Sequence, residues 1–252
     1  MELIELRQLN REGFCSVKDQ KHSRWNKFLF QWSVFFIGLF IMAFGIALMI
    51  KADLGSAPWD VLHIGLFAQF GLSIGTWSII MGFFVILATS LLTKEKPQSG
   101  AFLNMVSVGL FIDFYLWLPF FHDPVTGFGK WMFLIIGILI LGFGIGLYIS
   151  SDCGAGPRDS LMLALTEKSG MKVSNIRLLM ELVVLFFGWM LKGPVSFGTI
   201  LFCVTIGAIV GRTLPYCQKL VKFVLERSEK YEDINKRSVR INHHDGISKE
   251  IR

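Results

Sequence analysis

The chain has 252 residues, of which 53% are hydrophobic and 17% charged, and its mean hydropathy is +0.55. That balance exceeds what a water-soluble domain of this length needs, so the bulk of the chain reads as membrane-embedded. The net charge of +6 gathers in the two ends and nearly vanishes between them, and no interleaved aromatic platform points to nucleic acid.

Residues 1–27 carry Arg7, Arg11, Lys18, Lys21, Arg24 and Lys27, with no apolar stretch leading to a small-residue cleavage site. They read as a basic cytoplasmic segment without a removable signal peptide, the first spanning helix acting as its own insertion signal. A hydrocarbon core of roughly 30 Å takes about 20 helical residues. Six runs reach that length: Phe28–Ile50, Ile74–Leu92, Ala101–Phe121, Trp131–Ile149, Val173–Leu191 and Phe197–Leu214. Pro58–Phe70 and Pro157–Ser169 are shorter, enough for roughly 20 Å of helix, and do not cross comfortably. Beyond them, Tyr216–Lys230 has Leu220, Val221, Val224 and Leu225 on one side and Lys219, Lys222, Arg227 and Lys230 around the other. This suits either a helix lying on the anionic inner leaflet or a soluble charged tail. Glu232–Arg252 is polar and charge-rich and is expected to be disordered.

The membrane portion repeats itself at an offset of 99 residues. Phe44-Gly45-Ile46 recurs as Phe143-Gly144-Ile145, and Asp53-Leu54-Gly55-Ser56-Ala57-Pro58-Trp59-Asp60 as Asp152-Cys153-Gly154-Ala155-Gly156-Pro157-Arg158-Asp159. Gly38 and Gly137, and Gly71 and Gly170, keep the same offset. Two membrane repeats follow, 28–121 and 131–215, the pattern of duplicated transporters. If each short segment is a re-entrant half-helix, the second repeat is inverted; if each crosses, the repeats are parallel. With the N-terminus inside and the tails set aside, the re-entrant arrangement leaves Lys94, Lys96, Arg158, Lys168, Lys172 and Arg177 inside and Lys51, Lys130 and Lys192 outside. The crossing arrangement reverses the majority, so the positive-inside bias favours inversion. The expected fold is an all-α polytopic bundle of two inverted repeats, each with three spanning helices and one re-entrant half-helix. Both termini are expected in the cytoplasm.

Within the repeated block, Gly55 and Gly154 let the chain leave a long helix with positive φ, and Pro58 and Pro157 suit the first position of a new one. Asp60 and Asp159 then fall in the first turn, near the positive end of the helix dipole. Gly, Pro and Asp in this order are also an ordinary helix-stop, helix-start recipe, and such first-turn acids weaken any claim that these ends are empty anion sites. Asp53 and Asp152 precede the glycine, are not needed as first-turn acids, and stand as candidates because acids in a membrane are costly. Trp59 becomes Arg158 in the second copy and Lys51 becomes Ser150, so each half supplies one cation. Either cation pairs with a neighbouring acid, or Lys51 snorkels to the interface.

Asp113 has no local partner and is a candidate for a pathway or proton-coupling role, the competing explanation being a buried partner from another helix such as Arg212. Glu181 follows Arg177 at i, i+4 and closes on it. A lone His63 reads as structural. Gly142-x-x-x-Gly146 and Gly207-x-x-x-Gly211 allow close helix approach. Cys15, Cys153, Cys203 and Cys217 have neither metal-ligand nor disulfide-framework spacing, and no metal, cofactor or catalytic set is expected. An intramembrane aspartyl protease would need a Gly-x-Gly-Asp setting that Asp53 and Asp152 lack.

The run Lys51-Ala52-Asp53-Leu54-Gly55-Ser56-Ala57-Pro58-Trp59-Asp60, the later Gly71-Leu72-Ser73-Ile74-Gly75-Thr76, and Gly154-x-Gly156-Pro157-Arg158-Asp159 resemble the YczE/YyaS/YitT group of bacterial membrane proteins. The resemblance covers about Phe28 to Pro215 and implies an integral protein of the bacterial cytoplasmic membrane, of YczE type; it carries over no catalytic residue. The expected function is small-solute transport or permeation at a site between the two motifs, formed by Asp53, Gly55, Pro58, Asp60, Asp152, Gly154, Pro157, Arg158 and Asp159. Lys51, Asp113 and Glu181 would serve charge balance or coupling. Its expected partners are the bilayer, the anionic inner leaflet and an unknown small solute, with homo-oligomerisation left open. The alternative is a non-transporting membrane scaffold or regulator of a partner protein, acting through the basic tails; a membrane-embedded enzyme is the weakest reading.

Overall fold

The computed structural model describes residues 2–119, 122–154 and 156–247. It contains eight helices, α1 Glu2–Ala52, α2 Pro58–Phe70, α3 Ile74–Thr93, α4 Ser99–Trp117, α5 Gly127–Ser150, α6 Pro157–Ser169, α7 Val173–Met190 and α8 Phe197–Ile247, and no strand among the described residues. Segments within α1, α3, α4, α5 and α8 are long and apolar enough to cross a membrane.

The two short helices occupy the residues expected of them, because each is punctuated at both ends. Proline begins them, and Gly71 and Gly170 close them at φ 73° and 67°. The expected span Ala101–Phe121 stops earlier, at Trp117. Pro119 disfavours a helical conformation in the preceding residue, and Leu118 is extended at φ −61°, ψ 121°. Positions 120 and 121 lie outside the described residues.

The final helix departs further from expectation. It does not end before Pro215 but carries that proline inside it and continues to Ile247, where 232–252 is expected to be disordered. The expectation rests on overall polarity, and a polar, charge-rich composition does not by itself exclude a helix. Positions 248–252 lie outside the described residues.

The chain divides into two compact units, Met1–Ser33 with Lys219–Arg252, and Val34–Gln218. The second unit is organised around a close crossing of α1 and α5. A Cβ on Gly45 would lie 2.6 Å from the Leu141 nitrogen, and one on Gly144 would lie 2.5 Å from the Met42 nitrogen. Only glycine permits backbones this near. Gly38 likewise faces Tyr148, and Gly137 faces Met49. Numbers rise along α1 as they fall along α5, so the helices run antiparallel. The contacts are also reciprocal at the 99-residue offset: Gly38 meets the counterpart of Met49, and the counterpart of Gly38 meets Met49.

The remaining helices interleave the halves. α2 packs on α7, and their respective counterparts α6 and α3 pack on each other. Phe35, Leu39, Met49, Ile112, Leu134 and Ile206 form the buried interior, while Phe83, Leu110, Leu139, Leu182 and Val204 point outward. An outer surface this apolar suits hydrocarbon. Of the two expected packing motifs one is used: Gly142 and Gly146 approach Ile209 and Thr213 on α8, whereas Gly207 and Gly211 have nothing among the described residues within 4 Å of their Cβ positions.

Candidate functional site

The two breaks are built alike. Past the ends of α1 and α5, Asp53 and Asp152 take left-handed conformations, φ 52° and 58°, and Gly55 and Gly154 follow at φ 96° and 121°. Aspartate tolerates the left-handed region better than most side chains, which is a structural reason for its recurrence here. The returning loop of each half is then held by the other half. Gly198, at the start of α8, donates its N–H to the Leu54 carbonyl at 2.8 Å, and a Cβ on Gly55 would press on Thr199. In the mirrored arrangement, Gly100 at the start of α4 lies against the Cys153 carbonyl, and Gly154 lies against Gln98.

These loops deliver the first turns of α2 and α6 to a single cavity of about 180 Å³. Pro58, Trp59 and Asp60 line it from one half, and Pro157, Arg158 and Asp159 from the other. The guanidinium of Arg158 stands 4.7 Å from the centre of the Trp59 ring, a cation–π contact between two residues that occupy equivalent positions in the repeats. Neither helix has a side-chain cap on its N-terminal N–H groups.

The polar lining is unevenly satisfied. Asp159 accepts a hydrogen bond from the Tyr148 hydroxyl, and Glu181 pairs with Arg177 at 3.2 Å. Asp60 and His63 are each only 1% exposed, 3.8 Å apart, and none of their side-chain polar atoms has a hydrogen-bond partner among the described residues. The amide nitrogen of Asn104, on α4 and 7% exposed, is unpartnered too. Buried polar groups are ordinarily hydrogen-bonded, so three such groups around one cavity call for an explanation.

Of the candidates read from the sequence, Pro58, Asp60, Pro157, Arg158, Asp159 and Glu181 line the cavity. Gly55 and Gly154 shape the loops behind it. Asp53 and Asp152, expected to line the site, do not, because the left-handed turn that each forms directs the chain away from the helix end. Asp53 is 76% exposed and binds Lys130 at 3.1 Å. Lys51, expected to set the charge balance, instead meets Asp123 at 2.8 Å, so its partner is an acid of the α4–α5 loop.

Asp113 is also elsewhere. It accepts hydrogen bonds from the Gly75 N–H, at 2.8 Å, and from the Ser73 hydroxyl, which itself caps α3 by accepting from Thr76. Its partner is a helix N-terminus rather than Arg212, and its negative charge suits that position. The sequence reading passed over Asn104 and Tyr148 altogether. A lone amide in an apolar run and a tyrosine one turn before a helix break were the available signals.

Several crossing-length apolar helices, an outward apolar surface and a polar cavity at broken helices define a polytopic α-helical membrane protein. Residues 29–214 match the model of a family of unknown function (DUF6198), and the chain belongs to that family. It is 43% identical over 198 residues to the uncharacterized membrane protein YczE of Bacillus subtilis, a match covering 78% of this chain and 91% of that one. An uncharacterized protein of Haemophilus influenzae is 34% identical over 178 residues, 71% of this chain and 80% of its own. The uncharacterized protein YyaS of Bacillus subtilis is 27% identical over 186 residues, 73% and 92% respectively. No solved structure matches.

Proposed function

We propose that the protein moves a small solute across the bacterial cytoplasmic membrane, through the cavity where α2 and α6 begin. The observation that carries this reading is the convergence of two repeat-equivalent helix starts on one hollow that contains Asp60 and His63, both buried without hydrogen-bond partners among the described residues. A broken helix frees backbone groups that lipid cannot satisfy, so it belongs beside protein or a wet cavity, as in transporters with discontinuous helices.

The antiparallel, reciprocal crossing of α1 and α5 supports inverted repeats, since a two-fold axis perpendicular to the helices turns one half upside down relative to the other. The end of α1 and the start of α5 lie together through Lys51–Asp123 and Lys130–Asp53. The start of α3 meets Asp113, close to the end of α4 on the same side. Helix α2 therefore leaves toward the side from which the chain entered it, which supports a re-entrant half-helix. With both termini cytoplasmic, these two ion pairs also neutralise two of the three cations on the outer face, consistent with the positive-inside bias.

The test is counterflow into proteoliposomes holding the full-length protein, over a panel of small anionic, cationic, zwitterionic and neutral solutes. Saturable uptake of at least one solute above empty liposomes is expected. If no solute of any charge class moves, and function in cells is lost on removing 216–252 while Asp60→Asn is tolerated, the scaffold reading replaces this one.

A further inference from the structure

The charges around the cavity indicate the class of solute, on the reading that the cavity is a transport site. Two of the five charged lining side chains satisfy each other, Arg177 with Glu181, and Asp159 takes the Tyr148 hydroxyl. Asp60 and Arg158 remain. Neither Asp60 oxygen is hydrogen-bonded, and Arg158 contacts the Trp59 ring rather than a carboxylate. One half of the protein thus presents a carboxylate without a hydrogen-bond partner among the described residues, and the other a guanidinium lying on an aromatic ring, to the same space.

We propose that the cavity binds a small zwitterion, its ammonium group on Asp60 and its anionic group on Arg158. Three carboxylates, Asp60, Asp159 and Glu181, face two guanidinium groups, Arg158 and Arg177. Each uncapped N-terminus of α2 and α6 adds the equivalent of roughly half a positive charge, which brings the lining close to neutral. A solute of one sign would upset that balance and leave either Asp60 or Arg158 unpaired in a poorly solvating site. A zwitterion satisfies both and changes nothing in the total. The Asn104 amide nitrogen and the open helix N-termini supply further donors to its anionic end. A cavity of about 150 Å³ holds benzene, so about 180 Å³ suits roughly six to eight heavy atoms.

The test measures binding to the purified full-length protein by thermal shift and by counterflow. The probes are L-alanine, β-alanine and 4-aminobutanoate, set against propanoate, propylammonium and propanamide. At least one zwitterion is expected to bind about tenfold or more tightly than every single-charge or neutral relative. Asp60→Asn is expected to turn the preference toward propanoate, and Arg158→Gln toward propylammonium, a reciprocal change that a merely structural role for these residues would not produce. The inference is overturned if no zwitterion binds, if a single-charge or neutral probe binds best, or if both variants keep the wild-type order. In the second of these cases transport still stands; absence of flux for every charge class would sink the transport reading itself.

Discussion

Replacing Arg158 with alanine is expected to lower solute flux by about 100-fold or more while the protein still inserts and remains monodisperse. The guanidinium is the only cation brought to the cavity by the first turn of α2 or α6, and it lies against Trp59, its own counterpart in the other repeat. On the proposed reading its removal takes away a charge-assisted contact to solute, and it also leaves Asp60 and Asp159 without that nearby positive charge. Truncating one partner of a buried, hydrogen-bonded charge contact costs about 2–5 kcal/mol of binding, where 1.4 kcal/mol is a factor of ten. Arg158→Lys separates the contributions. It keeps the positive charge but loses the planar fork that stacks on tryptophan, so a loss of about tenfold is expected. Initial rates at saturating and subsaturating solute, normalised to protein recovered in the liposomes, provide the check.

Gly144→Leu is expected to prevent the body of the protein from assembling. The Cβ alone would sit 2.5 Å from the Met42 nitrogen, and the nearby atoms belong to the backbone of α1, so no side-chain rotation relieves the clash. Even overpacking that side chains can absorb costs about 1–3 kcal/mol, and this substitution must pry α1 from α5. Gly144→Ala is expected to lower the melting temperature, with Gly45→Ala behaving similarly because its Cβ meets Leu141 and Gly137 in the reciprocal way. Gly207→Ala, with nothing near its Cβ, is expected to be neutral. Size-exclusion profiles and melting curves in one detergent distinguish the three outcomes.

Much of the architecture was legible because its punctuation is local. Proline at one end and glycine at the other delimit α2 and α6 to the residue, and hydropathy locates the long helices. The end of α8 was not legible, since overall polarity does not decide where a charged helix stops. Within the site, Pro58, Asp60, Pro157, Arg158 and Asp159 could be read from the repeat. Asp53 and Asp152 misled for a physical reason: an acid near a membrane reads as functional, and only the backbone angles show that each supports a left-handed turn. Asp113 follows the competing reading, a partner from another helix, which is the N-terminus of α3 rather than Arg212. Trp59 and Arg158 were noticed as a divergence between copies, yet their contact required the halves to be seen together. The grip of α8 on Leu54 and of α4 on Cys153 escaped because Gly100 and Gly198 are 98 residues apart, one step out of the repeat's register.

The meeting of the two repeats at their broken helices is tested most directly by crosslinking across them in native membranes. With Cys15, Cys153, Cys203 and Cys217 changed to serine, Trp59→Cys and Arg158→Cys are combined and treated with a short bifunctional thiol reagent. Rapid crosslinking within single chains is expected, read as a protease-resistant link between the halves after cleavage in the 122–126 loop. Free thiols that both react with a monofunctional reagent yet never join would contradict a shared cavity between the repeats.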